Sequence, residues 1–141
     1  MYLIVAAHGD LAKEVLNSAN MVYGQVENIS TVPFVPGENG TDLKRKYEEI
    51  LKDVNDEVVF LVDLFGGSPY NAAFEFALKN DNMDVVTGLS LPMLIDVLTT
   101  REMNSEVKAK ELIHMINPEG YVKSCKMMLN EKQEEEEEDD L

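Results

Sequence analysis

The sequence predicts an α/β domain, doubly wound around a mainly parallel sheet, and three observations predict it. Short runs of Val, Ile, Leu and Phe, too continuous for strands with one wet face, recur along the chain. Between them the apolar residues change to a helical spacing. Glycine, proline, asparagine or aspartate stands at most of the switches between the two periods. Strands alternating with helices in this way build a parallel sheet covered on both faces.

The elements follow in order. Leu3 to Ala7 is a strand, and Leu11, Ala12, Val15, Leu16, Ala19 and Val22 mark one face of a helix that stops at Gly24. Ile29 to Val35 is β-rich and closes at Pro36-Gly37. Thr41 is placed to cap a helix carrying Leu43, Tyr47, Ile50 and Leu51. Val58 to Val62 is the strongest buried-strand signal, and Gly66-Gly67-Ser68-Pro69 then turns into a helix through Ala72, Ala73, Phe76 and Ala77, with Pro69 as its expected first residue. Met83 to Thr87 reads as a short strand, Pro92 opens a helix through Leu98, and Val107 to Ile116 predicts another. Tyr121 to Met127 is strand-like. The Glu/Asp run that ends the chain is expected to be disordered, leaving a folded domain over residues 1–128 and an acidic tail over 129–141.

Charge excludes several functions. The 141 residues hold 27 acids against 12 lysines and arginines, a net charge of −15. Residues 131–141 contain eight of those acids and one lysine, so the remainder still carries −8. Such a body is repelled by phosphate backbones and anionic lipid, which argues against nucleic acid and membrane surfaces as partners. The single Cys125 excludes an internal disulfide framework and is expected to be an inert buried thiol in a reducing compartment. Met1 to Ala7 has no basic segment, and its apolar run is too short for a secretory signal, so the expected location is cytoplasmic. No metal-ligand spacing occurs, and neither a metal nor a cofactor is expected.

Open parallel sheets bind ligands beyond the carboxyl ends of their strands, where the strand order switches. That rule selects His8-Gly9-Asp10 after the first strand, Asp63 and Gly66-Gly67-Ser68 after the third, and Thr87-Gly88 after the fourth. If the first and third strands are neighbours, His8 and Asp63 stand side by side. A nucleophilic histidine needs one ring nitrogen unprotonated, and a carboxylate on the other nitrogen fixes that tautomer. A glycine-rich turn leading into a helix offers N–H groups and a dipole to an anion, and Ser68 adds a hydroxyl. Taken singly, each of these motifs is more often a surface residue, a cap or an ordinary turn. Together they describe phosphoryl transfer onto histidine. His114, near Met115 and Ile116, reads as a surface or packing residue.

These residues also carry a resemblance. Ile4-Val5-Ala6-Ala7-His8-Gly9 with Leu11-Ala12, Val62 through Ala73, and Gly88-Leu89-Ser90-Leu91-Pro92-Met93-Leu94 together resemble the mannose-type enzyme IIA component of the phosphoenolpyruvate-dependent sugar phosphotransferase system (PTS), over residues 1 to about 128. The resemblance implies that His8 is phosphorylated at Nε2 while Asp63 holds Nδ1–H. It implies that Gly66, Gly67 and Ser68 line the phosphoryl pocket, with the turn containing Gly88, Leu91 and Pro92 as its far wall. It implies the phosphocarrier HPr as donor, a IIB component as acceptor, and membrane IIC and IID subunits acting later on the sugar. It further implies four parallel strands plus one antiparallel strand exchanged within a homodimer, for which Tyr121 to Met127 is the candidate.

Three other readings compete. A receiver-like regulatory domain would be phosphorylated on Asp63, but it needs an acid pair after the first strand and a later lysine at a strand end. A histidine phosphatase of the Arg-His-Gly type needs an arginine where Ala7 stands. A regulatory IIA homologue outside transport would share every motif.

Overall fold

The computed structural model describes residues 1–140. Its centre is a sheet of β1 (Tyr2–His8), β2 (Ile29–Phe34), β3 (Val58–Val62) and β4 (Met83–Thr87), all parallel, in the order β2-β1-β3-β4. Residues 3–7 of β1 and all of β3 are buried on both faces, which is why their sequences are continuous apolar runs.

Alternation along the strands divides the core in two. Leu3, Val5, Ala7, Val59 and Leu61 face α1 (Leu11–Tyr23) and α4 (Leu91–Met103). Ile4, Ala6, Phe60 and Val62 face α2 (Gly40–Leu51) and α3 (Ser68–Lys79). On that second face Tyr47 sets its ring edge-on to Phe60 at 5.0 Å and to Phe76 at 6.0 Å. Each such buried aromatic contributes about 1.5–3 kcal/mol by leaving water.

The chain winds one way through α1 to β2 and the other way through α3 to β4. The switch therefore falls between the carboxyl ends of β1 and β3. That is the position held by His8 and Asp63.

Several boundaries differ from expectation for local reasons. Asn39, not Thr41, caps α2, because its Oδ1 accepts the N–H groups of Thr41 and Asp42 while Asp42 accepts the Asn39 N–H in return. Ser68 opens α3 and Pro69 takes its second position. The predicted helix over residues 107–116 breaks into a 3₁₀ turn (Ala109–Glu111) and the single-turn α5 (Leu112–Met115).

The C-terminal region needs the larger correction. Residues 121–127 form no strand. Pro118–Tyr121 is a 3₁₀ turn, and α6 (Cys125–Asp139) starts within the expected strand. Ser124 caps it by accepting the Met127 N–H, and Lys, Met, Leu, Gln and Glu are all strong helix formers. Local propensity thus overrides the β pattern, and among the described residues the sheet contains no antiparallel fifth strand. The expected disordered tail is instead helical to Asp139, exposed on every side, and α6 runs across the 128/129 boundary. Cys125 is exposed rather than buried.

Candidate active site

β1 and β3 are directly paired, with Ala6 opposite Val62, so the chain leaves β3 beside the end of β1. His8 is the last residue of β1, and Asp63 immediately follows β3. The His8 Nδ1 lies 2.9 Å from Asp63 Oδ2, and the main-chain N–H of His8 donates to the same oxygen at 3.1 Å. The His8 side chain is 47% exposed and that of Asp63 only 14%. A carboxylate accepts and cannot donate, so Nδ1 carries the proton, and in the neutral ring Nε2 keeps its lone pair. Asp63 Oδ1 is buried without a partner among the described residues, which leaves Oδ2 as the working oxygen.

Two contacts confine the imidazole further. Phe34, its register partner on β2, meets the ring edge-on at 5.5 Å. On another side stands Gly67, where an added Cβ would lie 3.2 Å from His8 Cε1 and 3.5 Å from the Leu64 carbonyl. Glycine here is a matter of clearance, since its φ of −74° suits any residue. Gly9, just past the histidine, has φ +60° and donates its N–H to the Phe34 carbonyl at 2.7 Å, turning the chain away from the site.

Gly66, Gly67 and Ser68 lie where the sequence places them, at the N-terminus of α3. The Gly67 N–H donates to the Leu64 carbonyl at 3.3 Å, so it closes the turn instead of facing a ligand. The donors that a first helical turn leaves over are the N–H groups of Ser68 and Tyr70, since Pro69 has none, together with the Ser68 hydroxyl. The turn after β4 is tied to the end of β3 by the Leu89 N–H on the Val62 carbonyl at 3.0 Å, one residue before Asp63. It carries Gly88 at φ +90°, then Leu91 and Pro92 at the start of α4, where the Ser90 hydroxyl oxygen accepts the Met93 N–H. His114 is exposed on α5.

Sequence reasoning missed three supports of this site. Phe34 gave no signal beyond its place at the end of β2. Asn71 donates its side-chain amide to the Gly66 carbonyl at 3.1 Å, stitching the turn to α3. Tyr47, read only as a core position, is fully buried and donates its hydroxyl to the Pro69 carbonyl at 2.9 Å. Burial, with the Asp63 charge added, pushes that phenol well above its ordinary range.

Comparison with known proteins gives the family. The family described as "PTS system fructose IIA component" matches residues 2–117. The chain belongs to the PTS fructose/mannose IIA family. It is 43% identical over 102 residues to the PTS system fructose-specific EIIA component of Bacillus subtilis, a match covering 71% of this chain and 70% of that protein. It is 38% identical over 102 residues to the PTS system mannose-specific EIIAB component of Escherichia coli K12, again 71% of this chain but 32% of that longer protein. Its fold is similar to the crystal structure of phosphotransferase system component EIIA from Streptococcus agalactiae, with a TM-score of 0.76, 25% identity, and 86% and 95% of the two chains covered. The family match ends at residue 117, before the 3₁₀ turn at Pro118–Tyr121 and α6. No helix among the described residues is long and apolar enough to cross a membrane.

Proposed function

We propose that this IIA-family chain is a cytoplasmic phosphoryl carrier that takes its phosphoryl group from phospho-HPr on His8 and passes it to a IIB component for sugar uptake. The observation that carries this reading is the 2.9 Å contact between His8 Nδ1 and Asp63 Oδ2. It leaves Nε2 as the nucleophile on a ring that is open to a partner protein.

In the forward step a P–N bond forms at Nε2 as the donor's bond to phosphorus breaks, and the donor recovers its electron pair. The Nδ1 proton stays on the Asp63 hydrogen bond throughout, which stabilises the positive charge that the ring gains. Ser68 and the first turn of α3 supply neutral donors to the phosphoryl oxygens, and the Gly88–Pro92 turn closes the far side. Among the described residues no lysine or arginine is ion-paired to Asp63. Neutral dipoles keep the group transferable, and the cation that neutralises the transition state comes from the partner, as an arginine supplied in trans does elsewhere. In this reading IIC and IID act downstream of IIB, and the carrier works as a homodimer.

Phosphorylation on Asp63 fits the geometry less well. Oδ2 is already engaged by two His8 groups, and Oδ1 is buried. The deciding experiment incubates the protein with labelled phosphoenolpyruvate, enzyme I and HPr. Wild type gives an acid-labile, base-stable phosphoryl group that moves on to IIB, and His8→Ala takes up none. Undiminished labelling of His8→Ala overturns the assignment, and label that never leaves for IIB points to a regulatory homologue.

A further inference from the structure

Gly67 at the mouth of α3 stands so close to His8 that a Cβ added there would lie 3.2 Å from Cε1 of the ring. One buried side chain on a different helix holds the first turn of α3 from beneath. Tyr47 on α2 is fully buried, and its hydroxyl donates to the Pro69 carbonyl, two residues past Gly67. That carbonyl belongs to the helical ladder of α3, so the bond from Tyr47 is an additional tie between two elements, made below the face on which His8 lies. The aromatic packing of Tyr47 against Phe60 and Phe76 needs a ring but no hydroxyl. A buried hydroxyl is retained only at the cost of satisfying it, and here its bond goes to the loop-to-helix junction of the site.

Resting on the reading that His8 carries the phosphoryl group, we propose that Tyr47 is a positioning residue. Its hydroxyl pins the start of α3 so that Gly67 stays beside Cε1 and the imidazole is held with Nδ1 on Asp63. The wall at Cε1 matters because this carbon lies between the two ring nitrogens. If α3 backs away, the ring gains freedom to rotate, and the Nδ1–Asp63 contact loosens. Asp63 acts on Tyr47 in return, since its charge, after burial, raises the pKa of the phenol.

The test is Tyr47→Phe in the full chain, with folding checked by circular dichroism. Phenylalanine keeps the aromatic packing, and loss of one hydrogen bond lowers the melting temperature by about 5 °C. Nitrogen-15 spectra of the unphosphorylated imidazole give the decisive readout. Wild type shows the Nδ1–H tautomer, and the variant shifts toward a mixture of the two, with phosphoryl transfer from phospho-HPr slowed about 3- to 30-fold. A folded variant with an unmoved imidazole spectrum and unchanged transfer overturns the proposal, because a purely structural role predicts that result.

Gly67→Ala probes the same contact from the other side and does not depend on Tyr47→Phe folding. With Tyr47 pinning α3, the new methyl at 3.2 Å displaces the ring and the His8 spectrum changes. Adding Tyr47→Phe lets α3 yield and restores part of the wild-type signal. An unperturbed His8 spectrum in Gly67→Ala means that α3 was never held, and sinks the idea. Failure of the phosphohistidine reading is seen separately, as label that survives His8→Ala.

Discussion

Asp63 Oδ2 accepts two hydrogen bonds from one residue, the ring Nδ1–H of His8 at 2.9 Å and its main-chain N–H at 3.1 Å. An amide cannot replace the carboxylate in either orientation. With its oxygen toward His8, the substituted side chain would bury its NH₂ where Oδ1 of Asp63 has no partner among the described residues. With its nitrogen toward His8, two donors would face each other, and the ring would move its proton to Nε2 to relieve the conflict. Asp63→Asn is therefore expected to fold and to lose phosphoryl transfer by about 10²-fold or more, against about 10⁴ for the comparable change in a serine-protease triad. Quench-flow transfer from phospho-HPr measures the loss, and a wild-type rate removes Asp63 from the mechanism.

Ser68 offers the α3 mouth a side-chain hydroxyl, beside N–H groups that a substitution cannot delete. Ser68→Ala keeps helix, turn and main-chain donors, so the unphosphorylated protein should melt within about 2 °C of wild type. The phosphorylated form should hydrolyse or transfer differently, because one hydrogen bond to a charged oxygen, worth about 1.5–3 kcal/mol, is lost. The expected signature is an equilibrium between carrier and IIB displaced about 10-fold or more toward IIB. An unaltered equilibrium means that the hydroxyl does not touch the phosphoryl group.

The parts legible in the sequence are those written in strand continuity and turn chemistry. Val58–Val62 is readable to the residue because burial on both faces leaves no polar interruption, and Met83–Thr87, only half-buried, because its β-branched residues run up to Gly88. His8 and Asp63 can be joined from the sequence only by assuming that the first and third strands are neighbours, an assumption the register of β1 on β3 bears out. Tyr47 is invisible as a site residue because a core tyrosine and a positioning tyrosine share one hydrophobic pattern. Their difference lies in where a single oxygen points. The C-terminal segment misleads for the opposite reason. Tyr121-Val122 is β-like over too few residues to outweigh the Ser124 cap and the helix formers behind it. The break within residues 107–116 is likewise tertiary, since Glu57 reaches across to accept the Ala109 N–H at 2.9 Å and holds the 3₁₀ turn in place.

Alkaline unfolding provides a check on Tyr47 that is independent of phosphoryl transfer. Its folded phenol titrates above the ordinary 10.0, chiefly through burial. A group held protonated by folding contributes stability that is complete below its unfolded pKa and is lost as pH rises beyond it. Stability should thus fall from about pH 10 upward, by as much as about 1.4 kcal/mol per pH unit for each such group. Tyr121, raised by burial and by its bond to Asp96, and Tyr23, raised by its bond to Glu102, contribute in the same direction. Tyr47→Phe should flatten the decline between about pH 10 and 12 without abolishing it. Urea midpoints collected across that range decide the matter, and an unchanged slope would place the phenol in contact with water.

The acidic helix makes the last prediction, since nothing in α6 is buried and its second half sets like charges one turn apart. Glu131 and Glu135, Glu134 and Glu138, and Glu135 and Asp139 all stand in i,i+4 relation. Each pair costs about 0.2–0.5 kcal/mol, and fifteen residues are close to the shortest helix that holds without tertiary contacts. The capped start at Ser124 and the helix formers behind it oppose that cost only narrowly. Truncation after Ser124 should leave the melting temperature within about 2 °C and phosphorylation unchanged, while removing the α6 share of the far-ultraviolet helix signal. In the intact chain, raising salt from about 0.1 to 1 M shortens the screening length from about 10 to 3 Å and should increase helix content. The truncated chain should show no such rise. A drop in melting temperature of more than about 5 °C on truncation would mean that α6 rests on the body of the domain, and the salt response would then report docking and not charge repulsion within one helix.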